Sequence, residues 1–257
     1  MDYVKTFYDK YRDIGNYWGI PKDDVMKAIN KGTNSLVREI RLNKEQPLKL
    51  PKYFADVRSN DDYVSDIVEG WTTQKMIRCW LYYRASQVDG GVIVSKNGAD
   101  QDWVIVRNKV NRITSQQDLL VTASNNLTTL VEVQTCRKSD QKKYHIKTYK
   151  ARTALETRGI FVFVNIPGGW YFIIDPATDL TSKVPIVANP AWGGKKCYEF
   201  TLDHINEHIG VHKMTDNIPD RLRTLLGLPD KPYYALRDGG GRFINRMKAF
   251  KTKENYI

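Results

Sequence analysis

The sequence predicts an α/β protein whose central mixed sheet is flanked by helices, with a small helical region ahead of it. Three observations carry that expectation. The elements from Asp66 onward run helix, three strands, helix, two strands. The stretch Ile160-Phe161-Val162-Phe163-Val164 is apolar on both faces, as suits a central strand covered on each side. Candidate helices repeat apolar residues at three- and four-residue steps, whereas candidate strands are short apolar runs bounded by turn residues.

Residues 1–65 read as a helical unit. Val4, Phe7, Tyr8, Tyr11 and Ile14 recur at helical spacing until Gly15, and Pro21-Lys22-Asp23-Asp24 opens a second helix. Gln46-Pro47-Leu48-Lys49-Leu50-Pro51 is extended, because each proline pushes its predecessor out of the helical region. The core is expected over 66–215. Its first helix spans Asp66 to Ala85, with Ile67, Trp71, Ile77, Trp80 and Leu81 inward. Asp89-Gly90-Gly91 turns into Val92-Ile93-Val94, and Trp103-Val104-Ile105-Val106 continues the sheet. Asp118-Leu119-Leu120-Val121 is the next strand, and Asn125-Asn126 turns the chain into Thr129 to Gln134. Gln141 to Thr157 is expected as one helix, with Tyr144, Thr148, Ala151 and Leu155 on its apolar face and Gly159 as its stop. Strands 160–164 and 170–174 close the core, and 216–257 forms a basic C-terminal extension.

Composition narrows the function classes. The chain has 257 residues, 41% hydrophobic and 27% charged, enough for a sizeable core. No run of ~18 apolar residues predicts a membrane span, and the charged start MDYVKTFYDKYRD does not resemble a secretory leader. Cys79, Cys136 and Cys197 are far apart and form no CxxC pair, which points to a reducing cytoplasm. His204, His208 and His212 recur at four-residue steps, but Gly210 interrupts the helix and no fourth zinc ligand has recognisable spacing. No GxSxG or HExxH motif and no phosphate-binding glycine loop is present.

Charge supplies the positive signal. The formal net charge is +11. A basic surface suits a polyanion, because neutralised phosphates release condensed counterions. Eight basic and two acidic residues fall in 137–158, and nine basic and four acidic in 220–257. On the expected helix, Lys143, Lys147 and Lys150 form a stripe that Lys142 and Arg152 extend, which makes a candidate phosphate track. The tail from Arg237 to Lys253 adds Arg242, Arg246, Lys248, Lys251 and Lys253.

Two acids stand out within this basic chain. Asp118 opens a short apolar strand, and Glu132 lies inside Leu130-Val131-Glu132-Val133. An ionised acid in such a strand costs several kcal/mol unless it is paired, metal-bound or solvated, roughly. Alternation puts Val131 and Val133 on one face and Leu130, Glu132 and Gln134 on the other. A hairpin about Asn125-Asn126 would bring both carboxylates to one point, a hard-oxygen site suited to Mg²⁺.

With its helix, strand pair, acidic strands and basic helix, the region from about Asp66 to Ile209 resembles the PD-(D/E)XK nuclease superfamily, the restriction-endonuclease-like fold. The matching stretches are Glu69 to Arg84, Gly91 to Val94, Gln117-Asp118-Leu119-Leu120-Val121, Val131-Glu132-Val133-Gln134-Thr135 and the segments after them. The resemblance implies a metal-dependent DNA endonuclease, of restriction or phage type, working with Mg²⁺ or Mn²⁺ in a bacterial or phage-infected cell, and a homodimer. It implies Asp118 and Glu132 as metal ligands with the Val133 carbonyl, and Glu69 as an extra acid from the core helix. Gln117 replaces the usual Pro. Gln134 stands where the superfamily places Lys, and some restriction enzymes of the superfamily use Gln there. Lys138 and Lys142 are the nearest lysines in sequence that could substitute. A non-catalytic nucleic-acid-binding or viral nucleoprotein-like protein that retains the fold is the alternative.

Overall fold

The computed structural model describes residues 60–97, 117–136 and 138–230, with a few positions between Trp18 and Asn30. The expected strand at 103–106, the basic tail at 237–253 and nearly all of the N-terminal helical unit lie outside the described residues.

The architecture is α/β, with a mixed sheet flanked by helices. Helix α1 (Asn60–Ser86) leads into a three-strand antiparallel meander of β1 (Ile93–Lys96), β2 (Leu119–Thr122) and β3 (Thr128–Cys136). The expected turn at Asn125-Asn126 forms the second hairpin. Asn125 Oδ1 accepts from the Leu127 amide at 3.0 Å, and Asn126 adopts the left-handed region at φ 65° that asparagine tolerates. The chain then crosses over to β5 (Ile160–Asn165), which runs parallel to β3, and returns as β6 (Trp170–Ile174). The six-stranded order is β1-β2-β3-β5-β6-β9, with β9 (His212–Lys213) at the edge.

The crossover differs from the expected single helix over 141–157. Lys143–Lys147 is a strand, β4, and only Thr148–Thr157 is helical, as α2. β4 pairs with β8 (Lys195–Thr201), and β8 with β7 (Ile186–Asn189), in a separate three-stranded sheet. The physical reason is visible in Lys143-Tyr144-His145-Ile146-Lys147. Its polar and apolar residues alternate with period two, and Tyr144 and Ile146 are buried between outward Lys, His and Lys. The buried helical positions are Ala151 and Ala154, whereas Leu155, expected inward, is exposed. Helix α2 ends at Arg158 in the left-handed region rather than at Gly159. Gly159 answers a close approach instead: a Cβ there would meet Gln117 Nε2 at 2.7 Å.

The α-helices after α2 among the described residues are short: α3 (Pro176–Asp179), α4 (Leu202–His208) and α5 (Asp220–Leu225). The main sheet separates two cores. Val131, Val133, Val162, Val164 and Ile173 pack with Ile77, Trp80 and Leu81 of α1. Phe161, Phe163, Phe172 and Ile174 pack with α2 and the small sheet. Phe163 stacks on Phe172 at 4.7 Å, and Tyr144 of β4 meets Phe172 edge-on at 5.0 Å. That aromatic contact pins the small sheet beside α2.

The chain beyond 66–215 contributes to the first core. Trp18 and Ile20 are buried in it, and the Arg84 guanidinium ties Trp18 O at 3.0 Å to Met214 O at 3.2 Å. Ile218, Leu222, Leu226 and Leu228 are also buried there, so the expected extension begins as core.

Candidate active site

The hairpin register aligns Leu119 with Val131 and Leu120 with Leu130, which brings Asp118 to the level of Glu132. Asp118 sits just before β2. Its Oδ2 accepts from the Val133 amide at 2.8 Å, and its Oδ1 from Gln74 Nε2 of α1 at 2.8 Å. The contact from Val133 to this acid is thus its backbone N–H, donated across the hairpin.

Glu132 points to the other side of β3, toward α2, and is 2% exposed. Its Oε1 accepts from Gln134 Nε2 at 3.0 Å and closes on the Lys150 ammonium. Residues 132 and 134 share a face of the strand, so the amide reaches its neighbour two positions back. Burial alone would lower the pKa of Lys150. The attraction of Glu132 and Asp118, with the hydrogen bond to Glu132, overcomes that and holds it above the ordinary lysine value. Both carboxylates therefore act on one ammonium group.

The remaining sequence-based candidates divide. Lys150, expected as part of a phosphate track, is the lysine that pairs with Glu132. Lys138 and Lys142, the nearest lysines in sequence to Gln134, have exposed side chains. Lys143 and Lys147 belong to β4 and are therefore not helical neighbours of Lys150. Lys143 Nζ pairs with Glu199 Oε1 at 2.9 Å, and Lys147 Nζ lies 4.7 Å from the centre of the Trp192 ring. Arg152 is exposed on α2. Glu69 is buried on α1, where its carbonyl accepts from Thr73 Oγ1 at 2.7 Å. The α1 side chain hydrogen-bonded to Asp118 is Gln74, which carried no signal in the sequence.

Gln117 anchors the acid from behind. Its Nε2 donates to Thr157 Oγ1 at 2.7 Å, and its carbonyl accepts from Asn97 Nδ2 at 2.9 Å. The start of β2 is thereby tied to the end of α2 and to the end of β1. His204 and His208 lie on α4, whereas His212 is on β9 against Tyr171.

Among the described residues, no cluster of three or more His, Cys, Asp or Glu side chains is grouped for a metal ion. Carboxylates are the hard-oxygen donors that Mg²⁺ takes, and here Asp118 accepts from Gln74 and Val133 while Glu132 accepts from Gln134 and Lys150. Among the described residues no helix is long and apolar enough to cross a membrane. Compared with family models, curated proteins and solved structures, the chain matches none.

Proposed function

We propose that the protein is a metal-dependent DNA endonuclease that hydrolyses phosphodiester bonds at Asp118, Glu132 and Lys150. The observation that carries this reading is the Lys150 ammonium on Glu132, with Asp118 acting on the same group. It supplies an acid, acid and lysine set in space although the strand itself carries Gln134. The order helix, antiparallel meander, helix and parallel strand supports the same reading, as does the basic charge of the chain.

The Asp118 and Glu132 carboxylates would hold Mg²⁺ or Mn²⁺. When bound, the ion supplies a water of lowered pKa and screens charge on the phosphate. Lys150 offers a cation to the pentacovalent phosphorane, whose added negative charge a buried ammonium stabilises more than water does. Gln134, a neutral amide, orients the attacking water without taking its proton. Gln74 and the Val133 amide fix the direction of Asp118. A homodimer cutting both strands belongs to the same reading.

Incubation with supercoiled and linear DNA in Mg²⁺, Mn²⁺ or EDTA tests it. Discrete metal-dependent products support a specific endonuclease, and a metal-dependent smear supports a nonspecific one. Salt-sensitive gel retardation without cutting in either metal refutes hydrolysis. It supports a second reading, a nucleic-acid-binding protein that retains the fold without catalysis. One observation favours that alternative: both Asp118 oxygens already accept hydrogen bonds from the protein.

A further inference from the structure

A cleft of about 410 Å³ lies where β6 meets β9, at the edge of the main sheet. Its walls are the Gly168-Gly169 turn, Trp170, His212, Lys213 and Thr215. The volume falls within the ~300–1,000 Å³ of small-molecule sites. Glu132 is level with Phe161 of β5, whereas the turn follows Asn165, four residues or roughly 13 Å farther along the strand.

The walls are held by the backbone. Asn165 Oδ1 accepts from the Gly168 amide at 2.8 Å, and Gly169 O accepts from the Met214 amide at 2.8 Å. The turn needs glycine, because a Cβ on Gly168 would meet Trp170 Nε1 at 2.4 Å and Gly169 has φ 63°. Pairing of Trp170 with Lys213 puts both side chains on the same face of the sheet. Phe172 backs the half-buried indole at 6.3 Å between ring centres, and the rest of the ring lines the cleft. Lys213 and Thr215 are exposed. Among the described residues, the Lys213 ammonium makes no ion pair, and the Trp170, His212 and Thr215 side chains make no hydrogen bond. Burial lowers the pKa of His212, so at pH 7 its neutral ring has one donor and one acceptor. Four polar side chains thus converge on one cleft with their bonding capacity unused.

We propose that this cleft binds a single nucleotide, with its base against Trp170 and its phosphate on Lys213. An indole stacks on any base, because every base has a π face. An ammonium without a carboxylate partner takes a phosphate as a point charge. The His212 ring and the Thr215 hydroxyl each both donate and accept, as the heteroatoms of a base edge and a sugar require. The net charge of +11 draws anions toward the chain. A neutral sugar would leave the ammonium unused, and an inorganic anion would leave the indole unused. A free nucleotide and one borne on a single strand present the same base and phosphate. None of these residues belongs to the acid and lysine set, so the site does not depend on DNA being cut.

The test is titration calorimetry in EDTA with dAMP, deoxyadenosine and inorganic phosphate, which separates the two halves of the ligand. A short fluorescein-labelled oligodeoxyadenylate is titrated in parallel by anisotropy over a series of KCl concentrations. Lys213→Gln should weaken dAMP about tenfold and leave deoxyadenosine unchanged. Trp170→Leu should weaken both about tenfold and leave phosphate unchanged. Lys183→Gln, an exposed lysine outside the cleft, should match wild type. On the oligonucleotide, Lys213→Gln should flatten log K against log salt by about 0.7, the loss of one single-strand phosphate contact. Displacement of the oligonucleotide by dAMP assigns the cleft to free nucleotides. Oligonucleotide binding weakened by both variants, with no uptake of dAMP, assigns it to a nucleotide within a strand. Circular dichroism confirms that each variant is folded. Lys213 is exposed, so Lys213→Gln decides the matter if Trp170→Leu loses its structure. Phosphate binding as tight as dAMP would overturn the proposal, as would a folded Lys213→Gln within twofold of wild type on both ligands. A wild type that takes neither dAMP nor the oligonucleotide would also overturn it.

Discussion

Replacing Lys150 with Met tests the centre of the site through stability, independently of any activity. Methionine keeps the length and apolar stem of the side chain but leaves Glu132, at 2% exposure, without its cation. Breaking a buried ion pair by removing one partner costs about 3–5 kcal/mol. Two features reduce that here. The Lys150 side chain is 28% exposed, so water already shares its charge, and Gln134 Nε2 still donates to Glu132 Oε1 at 3.0 Å. The expected loss is therefore about 2–3 kcal/mol, equivalent to a drop of roughly 4–12 °C in Tm for a domain of this size. Glu132→Gln in the Lys150→Met background removes the orphaned charge and should recover all but about 1 kcal/mol. The assay is guanidinium unfolding of the four proteins of this cycle, followed by circular dichroism in EDTA so that no metal replaces the ammonium. Lys150→Met within about 0.5 kcal/mol of wild type would refute the buried pair. So would a double variant no more stable than Lys150→Met.

Four further outcomes are expected. Asp118→Asn should abolish metal-dependent cleavage while DNA affinity in a retardation assay stays within about threefold, because a ligand is lost but no phosphate-binding cation. Gln134→Lys should retain or raise cleavage, since a lysine there reaches the same Glu132 oxygen; a folded but inactive variant would assign the amide a geometric task instead. The Cys136 thiol, whose pKa burial pushes up to about 12, should stay protonated and fail to react with a disulfide reagent at pH 8 until the protein unfolds. Ala154→Leu should cost about 1–3 kcal/mol by overpacking. It should also reduce the Glu132–Lys150 coupling energy measured by the same cycle.

Much of the main sheet was legible because its strands carry unambiguous local signals. Ile160 to Val164 has no polar residue, and β5 is buried along its whole length from Ile160 to Asn165. The Asn125-Asn126 turn fixes a hairpin, and alternation along β3 then assigns Val131 and Val133 to one core and Glu132 to the opposite face. The placing of Asp118 level with Glu132 across the hairpin needed no more than that. The helix over 66–85 emerged as α1, extended to Asn60.

The crossover was not legible because two periods compete within it. Tyr144, Thr148, Ala151 and Leu155 satisfy a helical spacing, while Tyr144 and Ile146 satisfy a strand. Nothing in the sequence marks the change, since the residue preceding α2 is Lys147, whose side chain makes no capping hydrogen bond. What decides in favour of a strand is distant in sequence: β8 offers β4 a full antiparallel ladder, from Lys143 with Thr201 to Lys147 with Cys197. Pairing partners fifty or more residues away leave no trace in a local window. The contributions of Trp18 and of Ile218 to Leu228 to the first core were missed for the same reason.

That change of period has a chemical consequence. In a continuous helix Lys143, Lys147 and Lys150 would form a single exposed stripe, and Glu132 would be left to Gln134. With β4 extended, the helix begins at Thr148, and Lys150 and Ala154, four residues apart, lie on the same face against the main sheet. Ala151 and Ala154 are both buried, and side chains this small let α2 approach β3 closely enough for an ammonium to reach a carboxylate inside the sheet. The cation on Glu132 is thus supplied by a neighbouring element whose phase is set by the strand before it. A search confined to the residues adjoining Glu132 finds only the amide. The cation is recoverable only once the small sheet has fixed where α2 begins.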